Sequence, residues 1–284
     1  MITSQSCSET PDTEARSLAD LEIALLLDGV ARLSGYDFRE YAPTLLKRRV
    51  TERVRFENVH TITGLLDRVV HDAAALEALV YALTTTASVP FRDTAAFASL
   101  AREVIPRLRT YPFFRMWVAG NAADAFPLAI LLDEANLLGR ARIYATEATD
   151  SGLADARSGV LRPEALAGLE ERYSAAGGRR SVAAYLEREP EGMRFATRLA
   201  ESILFARHDL ASEGSFNEFE TVVVRTSLAS YSRSLAYRAH RTLFESTARL
   251  GFLCVSSPEA MAASPNRGAF EMLPTCDGIY RRVR

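Results

Sequence analysis

The sequence is short of cysteine, histidine, tryptophan and long apolar runs, and each shortage closes off a class of function. Cys7, Cys254 and Cys276 are the only cysteines in 284 residues. They are odd in number and have no metal-ligand spacing, so neither a disulfide framework nor a zinc site is expected, and a reducing, cytoplasmic setting fits. The four histidines, His60, His71, His208 and His240, never fall at i, i+3 or i+4. That pattern argues against a metal centre, and no Cys–His pattern suggests a thiol nucleophile. No apolar stretch has the length of a membrane span, and the polar, acidic start from Met1 to Glu14 lacks the basic flank and apolar core of a secretion signal. The expectation is a soluble chain without membrane insertion. A formal charge of −2 and a pI near 6.2 leave no basic excess for tracking phosphates, so nucleic acid is not an expected partner.

With 48% apolar and 25% charged side chains, the chain can bury one large core or two smaller ones. From Ser17 to Thr86 apolar residues recur at helical spacing: Leu45, Leu46, Val50 and Val54, then Leu65, Leu66, Val69 and Val70, then Leu76, Leu79, Val80 and Leu83. This reads as a helical domain over 17–86, after a disordered start over 1–16. Beyond Arg115 the texture changes to short apolar runs alternating with helical stretches: Met116–Gly120, Arg142–Thr146, Ile203–Ala206, Thr221–Arg225 and Gly251–Val255. Continuous apolar strands separated by helices indicate an α/β domain with a mostly parallel sheet covered on both faces, here over 112–284. Residues 87–111 connect the two, with a helix expected over Phe97–Leu108. Between 158 and 195 the composition turns to Gly, Arg, Ala and Glu, the mark of an insertion rather than core.

Four strand ends carry candidate chemistry. The first strand ends in Ala119-Gly120-Asn121-Ala122-Ala123-Asp124 before a helical run; a strand, a Gly turn and a helix start make a nucleotide-binding corner, though a lone Gly is equally a turn. The second strand ends at Glu147, where an acid can accept both hydroxyls of a ribose, or stand solvated at a strand end. Asp209, after the strand-like Ile203–Ala206, could accept an adenine amino group or cap the next element. Arg225 to Tyr231 lies at the carboxyl edge of another strand, where ligands bind in open α/β folds, and its hydroxyls also suit a turn. Farther upstream, Lys47-Arg48-Arg49-Val50-Thr51-Glu52-Arg53-Val54-Arg55 reads as a helix with Leu46, Val50 and Val54 buried. Its arginines form either a solvated face or a docking surface for an acidic partner.

In this order the pieces resemble the CheR family of chemoreceptor glutamate methyltransferases, from about Leu21 to Arg282. Leu83 to Asp93 with Phe97 and Leu100 resembles L-T-T-N-E-T-x-F-F-R-E…F…L; Arg115 to Gly120 resembles R-I-W-S-A-G; Ala145-Thr146-Glu147 stands where the family has A-T-D. Phe205 to Leu210 resembles F-x-x-x-N-L, Val224 to Leu228 resembles C-R-N-V-L, and Gly251-Phe252-Leu253 with Tyr280-Arg281-Arg282 matches the family's end in outline. The resemblance implies an all-helical domain followed by a Rossmann-like S-adenosylmethionine-methyltransferase domain with a small inserted subdomain. It implies cofactor contacts from Thr86, Arg92, Ala119, Gly120, Asp124, Glu147, Asp209, Leu210, Arg225 and Thr226. It also implies a protein partner, chemoreceptor-like or another signalling protein with an acidic surface, facing Arg48, Arg49, Arg53 and Arg55.

The departures are concentrated. The family's A-G-C-S-T-G-E-E-P-Y-S-L-A-I is here Ala119-Gly120-Asn121-Ala122-Ala123-Asp124-Ala125-Phe126-Pro127-Leu128-Ala129-Ile130, two residues shorter. Two residues turn a helix by about 200°, so its start presents other groups. The second Gly and the paired Glu that holds the methionine ammonium are gone, with Asp124 as the substitute. Thr86, Ala87 and Pro90 replace family residues at the junction. Thr226 replaces Asn, Ser230 takes the place of the active-site Tyr, and Tyr231 follows one residue later. The reading is a degenerate CheR-like protein, noncatalytic and regulatory or scaffolding in chemosensory or surface-behaviour signalling, with weakened binding of S-adenosylmethionine or S-adenosylhomocysteine and no metal. Two alternatives stand: an active protein-glutamate O-methyltransferase using Arg92 and Tyr231, and a sensor for another nucleotide-like ligand.

Overall fold

The computed structural model describes residues 11–84, 89–190, 192–210, 212–225, 228, 231–256, 258–262, 264–274, 276 and 278–284, with side chains from Leu18 onward. The chain divides into two units, Met1–Thr84 and Thr85–Arg284. The sequence-derived sites at Thr86 and Thr226, and Ser230, lie outside the described residues.

The described residues of the first unit form four helices: α1 (Pro11–Ser34), α2 (Pro43–Phe56), α3 (Ile62–His71) and α4 (Ala73–Thr84). Helix α1 starts ahead of the Ser17 expected from periodicity. Pro43 opens α2, where its missing N–H costs nothing, and the Thr61 hydroxyl caps α3 by accepting the Gly64 amide at 2.9 Å. Leu26, Val30, Leu46, Val50, Leu65, Val69, Leu79 and Leu83 interlock as its core, each helix giving one stripe at i, i+3 or i+4 spacing.

The second unit opens with α5 (Thr94–Ser99), a π-helical turn over Leu100–Val104 and α6 (Ile105–Leu108). These three pieces run without a break and cover the helix that the spacing predicts over Phe97–Leu108. Pro106 cannot donate a backbone hydrogen bond, and the widened turn just ahead of it absorbs the mismatch. Ten strands follow among the described residues, seven of them in one sheet: β1 (Phe114–Ala119), β2 (Ala141–Glu147), β6 (Ile203–Arg207), β7 (Phe219–Val224), β8 (Thr247–Val255), β9 (Phe270–Met272) and β10 (Ile279–Arg282). Their order is β6-β2-β1-β7-β8-β10-β9. The first five are parallel, while β10 and β9 return antiparallel. Side chains alternate across β1: Phe114, Met116 and Val118 enter one core cluster, Trp117 and Ala119 the other. Helices α7 (Ala125–Glu134), α8 (Asp150–Ser158), α11 (Thr197–Ala200), α12 (Arg233–Ser246) and α13 (Pro258–Ala262) complete the layers. Helix α7 is buried from Ala125 through Leu132, which its apolar composition on every side requires.

The inserted segment has more structure than its composition indicated. It holds a three-stranded antiparallel sheet of β3 (Val160–Leu161), β5 (Gly192–Phe195) and β4 (Leu186–Glu189), with α9 (Pro163–Leu166) and α10 (Leu169–Ala175). Leu169, Tyr173, Val182 and Tyr185 are buried in the same cluster as Met116 and Val118. The insertion therefore shares the core instead of standing outside it.

Candidate functional site

Strands β2 and β7 lie on opposite sides of β1, so the strand order reverses there. In open α/β sheets this switch point leaves a crevice at the carboxyl ends of the strands. The residues at that edge are Gly120 after β1, Glu147 ending β2 and Arg225 after β7, with Ala119 in register with Thr146 and Val224. Gly120 has φ 74°, a left-handed conformation that suits glycine. It sends the chain into a tight turn over Ala122–Asp124 that enters α7.

That turn folds back onto the β2 acid. The Ala122 amide donates to Glu147 Oε1 at 2.8 Å, and Glu147 is only 6% exposed. Burial pushes its carboxyl up to about 7, against the stabilising Ala122 amide and helped by the nearby charges of Asp124 and Asp155. Behind it the Trp117 indole donates to Thr146 Oγ1 at 2.9 Å, fixing the strand ends on the opposite face.

Asp124 is 3% exposed and ends in an ion cluster. Its Oδ2 lies 2.8 Å from Arg225 Nε and accepts a hydrogen bond from the side-chain Nδ2 of Asn121 at 2.9 Å. Burial raises this carboxyl, and the Arg225 guanidinium opposes the rise. Asp93 lies 3.2 Å from the NH1 nitrogen of the same guanidinium, while its other oxygen caps α5 by accepting the Ala96 amide at 3.1 Å. The guanidinium carbon stands 5.2 Å from the Phe97 ring centroid, within cation–π range. Asp93, Phe97, Asn121 and Ala122 stand in the motifs quoted from the sequence, which give them no site role of their own. The acid directly after Arg92 was the available signal for Asp93.

The remaining predicted residues separate. Arg92 is exposed and contributes a favourable charge near Asp124. Asp209 Oδ2 accepts the Ser212 hydroxyl at 2.7 Å, and its backbone amide donates to Glu213 Oε1, an arrangement that orders its own loop. Leu210 is buried with Trp117 and Ala119, and Tyr231 is half-buried against that same cluster. Arg92 lies beside Phe91 of the other cluster.

The basic helix also divides. Arg49 turns inward, donating to the Leu83 carbonyl, and burial lowers its guanidinium. Arg53 pairs with the buried Glu57 and stacks on Phe56, its guanidinium carbon 4.8 Å from the ring centroid. Arg48 and Arg55 remain exposed, Arg48 loosely paired with Glu52 at 3.8 Å. Of the four arginines assigned to one docking face, two therefore serve the helical core. Among the described residues no group of three His, Cys, Asp or Glu side chains is placed to hold a metal, and no helix is long and apolar enough to cross a membrane.

Comparison with known proteins accords with this geometry. Residues 86–277 match the model of the CheR methyltransferase SAM-binding domain, and residues 21–84 that of the CheR methyltransferase all-alpha domain. The chain is 34% identical over 265 residues to the putative methyltransferase Cher3 of Pseudomonas putida, covering 93% of this chain and 97% of that protein. It is 25% identical over 234 residues to the chemotaxis protein methyltransferase of Listeria innocua, covering 81% of this chain and 86% of the relative.

Proposed function

The chain belongs to the CheR methyltransferase family, and from that premise we propose that it is a noncatalytic member, acting as a regulatory or scaffold protein whose donor pocket is occupied by its own side chains. The observation that carries this reading is the ion pair between Asp124 and Arg225, 2.8 Å apart with Asp124 nearly sealed from solvent. S-adenosylmethionine carries an ammonium and a carboxylate on its methionine part and a diol on its ribose, and each needs an opposite or hydrogen-bonding group open to it. The residues present fit it poorly. Asp124, the remaining candidate for the ammonium, holds Arg225 and Asn121. Glu147, the candidate for the diol, is buried with one oxygen on the Ala122 amide, and its carboxyl is raised to about 7. Asp209, the candidate on the adenine side, holds Ser212.

Methyl transfer from a sulfonium depends on alignment, since the acceptor oxygen and methyl carbon must meet at near-attack distance in line with sulfur. A pocket whose anchoring groups are spent on one another supplies no such alignment. Thermal unfolding with and without S-adenosylhomocysteine tests the reading. A ligand of the native state at 100 times its Kd stabilises by about 2.7 kcal/mol. No shift in melting temperature is expected at millimolar ligand; a clear rise that saturates with concentration would refute the proposal. The proposed partner is an acidic protein surface meeting Arg48 and Arg55, the two arginines of α2 left exposed.

A further inference from the structure

We propose that the inserted subdomain, residues 160–195, is a regulatory arm that sets the state of the Asp93–Arg225–Asp124 cluster. This inference rests on the reading above, in which that cluster keeps the pocket self-satisfied. The insertion grips both segments that carry the two acids. On one side, Arg172 Nε donates to the Pro90 carbonyl at 3.0 Å, while its other nitrogens hold the carbonyls of Ala165 and Ala167 at 2.6 Å. The Tyr173 ring stands 5.7 Å from that of Phe91, which is fully buried and 5.2 Å from Phe97. Phe91 has φ 54°, a left-handed conformation uncommon for a bulky residue. Such a conformation persists where its surroundings over-determine it, and here those surroundings are Tyr173 and Phe97. Two residues later comes Asp93, on Arg225.

On the other side, Glu134 ends α7. Its carboxylate accepts the Tyr173 hydroxyl and, at 3.0 and 3.2 Å, the amides of Arg179 and Arg180. The opposite end of that helix follows directly on Asp124. Because α7 is buried from Ala125 through Leu132, it transmits displacement along its axis as a rod rather than absorbing it. Two neighbouring residues of α10, Arg172 and Tyr173, thus hold both acid-bearing segments, and Arg225 closes the loop between them. Movement of the insertion is felt at both carboxylates together, which is the property a bistable coupling element requires.

Amide hydrogen exchange of the whole chain, read by mass spectrometry for Arg172→Ala and Tyr173→Phe, tests the coupling. For Arg172→Ala, exchange over 91–99 and 121–126 is expected to accelerate about tenfold or more, with the β9–β10 hairpin unchanged. Acceleration confined to 160–176 would overturn the proposal. If Arg172→Ala instead loosens the whole unit, Tyr173→Phe decides, because it removes a single hydroxyl. Faster exchange over 121–126 in that variant supports the arm, and wild-type rates there overturn it. Failure of the noncatalytic reading is separate, since it appears as ligand binding to the unmutated chain, whatever the exchange pattern.

Discussion

Asp124 Oδ2 lies 2.8 Å from Arg225 Nε in a place where the carboxylate is only 3% exposed, joining the first strand's turn to the far side of the switch point. Breaking a buried pair from one side leaves the other charge stranded, a cost of about 3 to 5 kcal/mol. Asp124→Ala and Arg225→Ala should each lose stability on that scale in urea denaturation, Asp124→Ala somewhat less because the guanidinium it leaves behind still reaches Asp93. The double variant should lose clearly less than the two single losses added together. Strict additivity would mean that the two side chains do not act on each other.

Glu147 gives the pH dependence a definite sign. Its carboxyl is raised to about 7 in the folded chain from an ordinary value of 4.5. Between those values the folded state holds the proton more tightly than the unfolded state. The associated stability is therefore complete below about pH 4.5 and lost as pH rises through 7. The full span is on the order of 3 kcal/mol. Glu147→Gln keeps an oxygen for the Ala122 amide and removes the buried charge. It should flatten the stability profile between pH 5 and 8 and be the more stable form at pH 8. An unchanged slope would place the titrating group elsewhere.

The helical unit separates structural arginines from surface ones. Arg49→Ala leaves the Leu83 carbonyl without its guanidinium donor, and Arg53→Ala leaves Glu57 to the more exposed Arg68, 3.2 Å away. Each should lower stability by about 1 to 3 kcal/mol. Arg48→Ala and Arg55→Ala, on exposed positions, should stay within about 0.5 kcal/mol. Thermal unfolding of the four variants distinguishes the two groups, and equal effects across all four would contradict the division.

Gly178 lies against Tyr173, where an added Cβ would meet the ring at 2.3 Å. The ring is held by Glu134 through its hydroxyl, so moving it aside strains that bond. Gly178→Ala should cost about 1 to 3 kcal/mol and loosen the insertion first, which amide exchange over 169–186 would register. Wild-type protection there would show that the ring moves freely.

The architecture was legible where side-chain pattern follows burial. Strands β1 and β7, and the carboxyl-terminal parts of β2 and β8, are buried on both faces and so are legible as strands, and α2 to α4 show their stripes directly. The small sheet follows from the family resemblance but is poorly marked in the residues, because β4 is Leu186-Glu187-Arg188-Glu189, half exposed and stabilised by Arg194 reaching Glu187 and Glu189 rather than by an apolar face. Glu147 and Asp124 were located by their place after strands, but their state was not. Whether a carboxylate is open or engaged depends on groups distant in sequence: Arg225 for Asp124, and the backbone amide of Ala122 for Glu147. Arg49 and Arg53 carried the same ambiguity, because helical spacing gives an angle around the axis and leaves open which way a long side chain bends.

The central claim is that the pocket's own side chains take the place of the methyl donor. Isothermal titration of the intact chain with S-adenosylmethionine, carried to millimolar concentration at neutral pH, tests it most directly. The expected result is heat indistinguishable from dilution. A saturable one-to-one isotherm with a micromolar Kd would contradict it, since Asp124 and Arg225 would then have to part for the ligand.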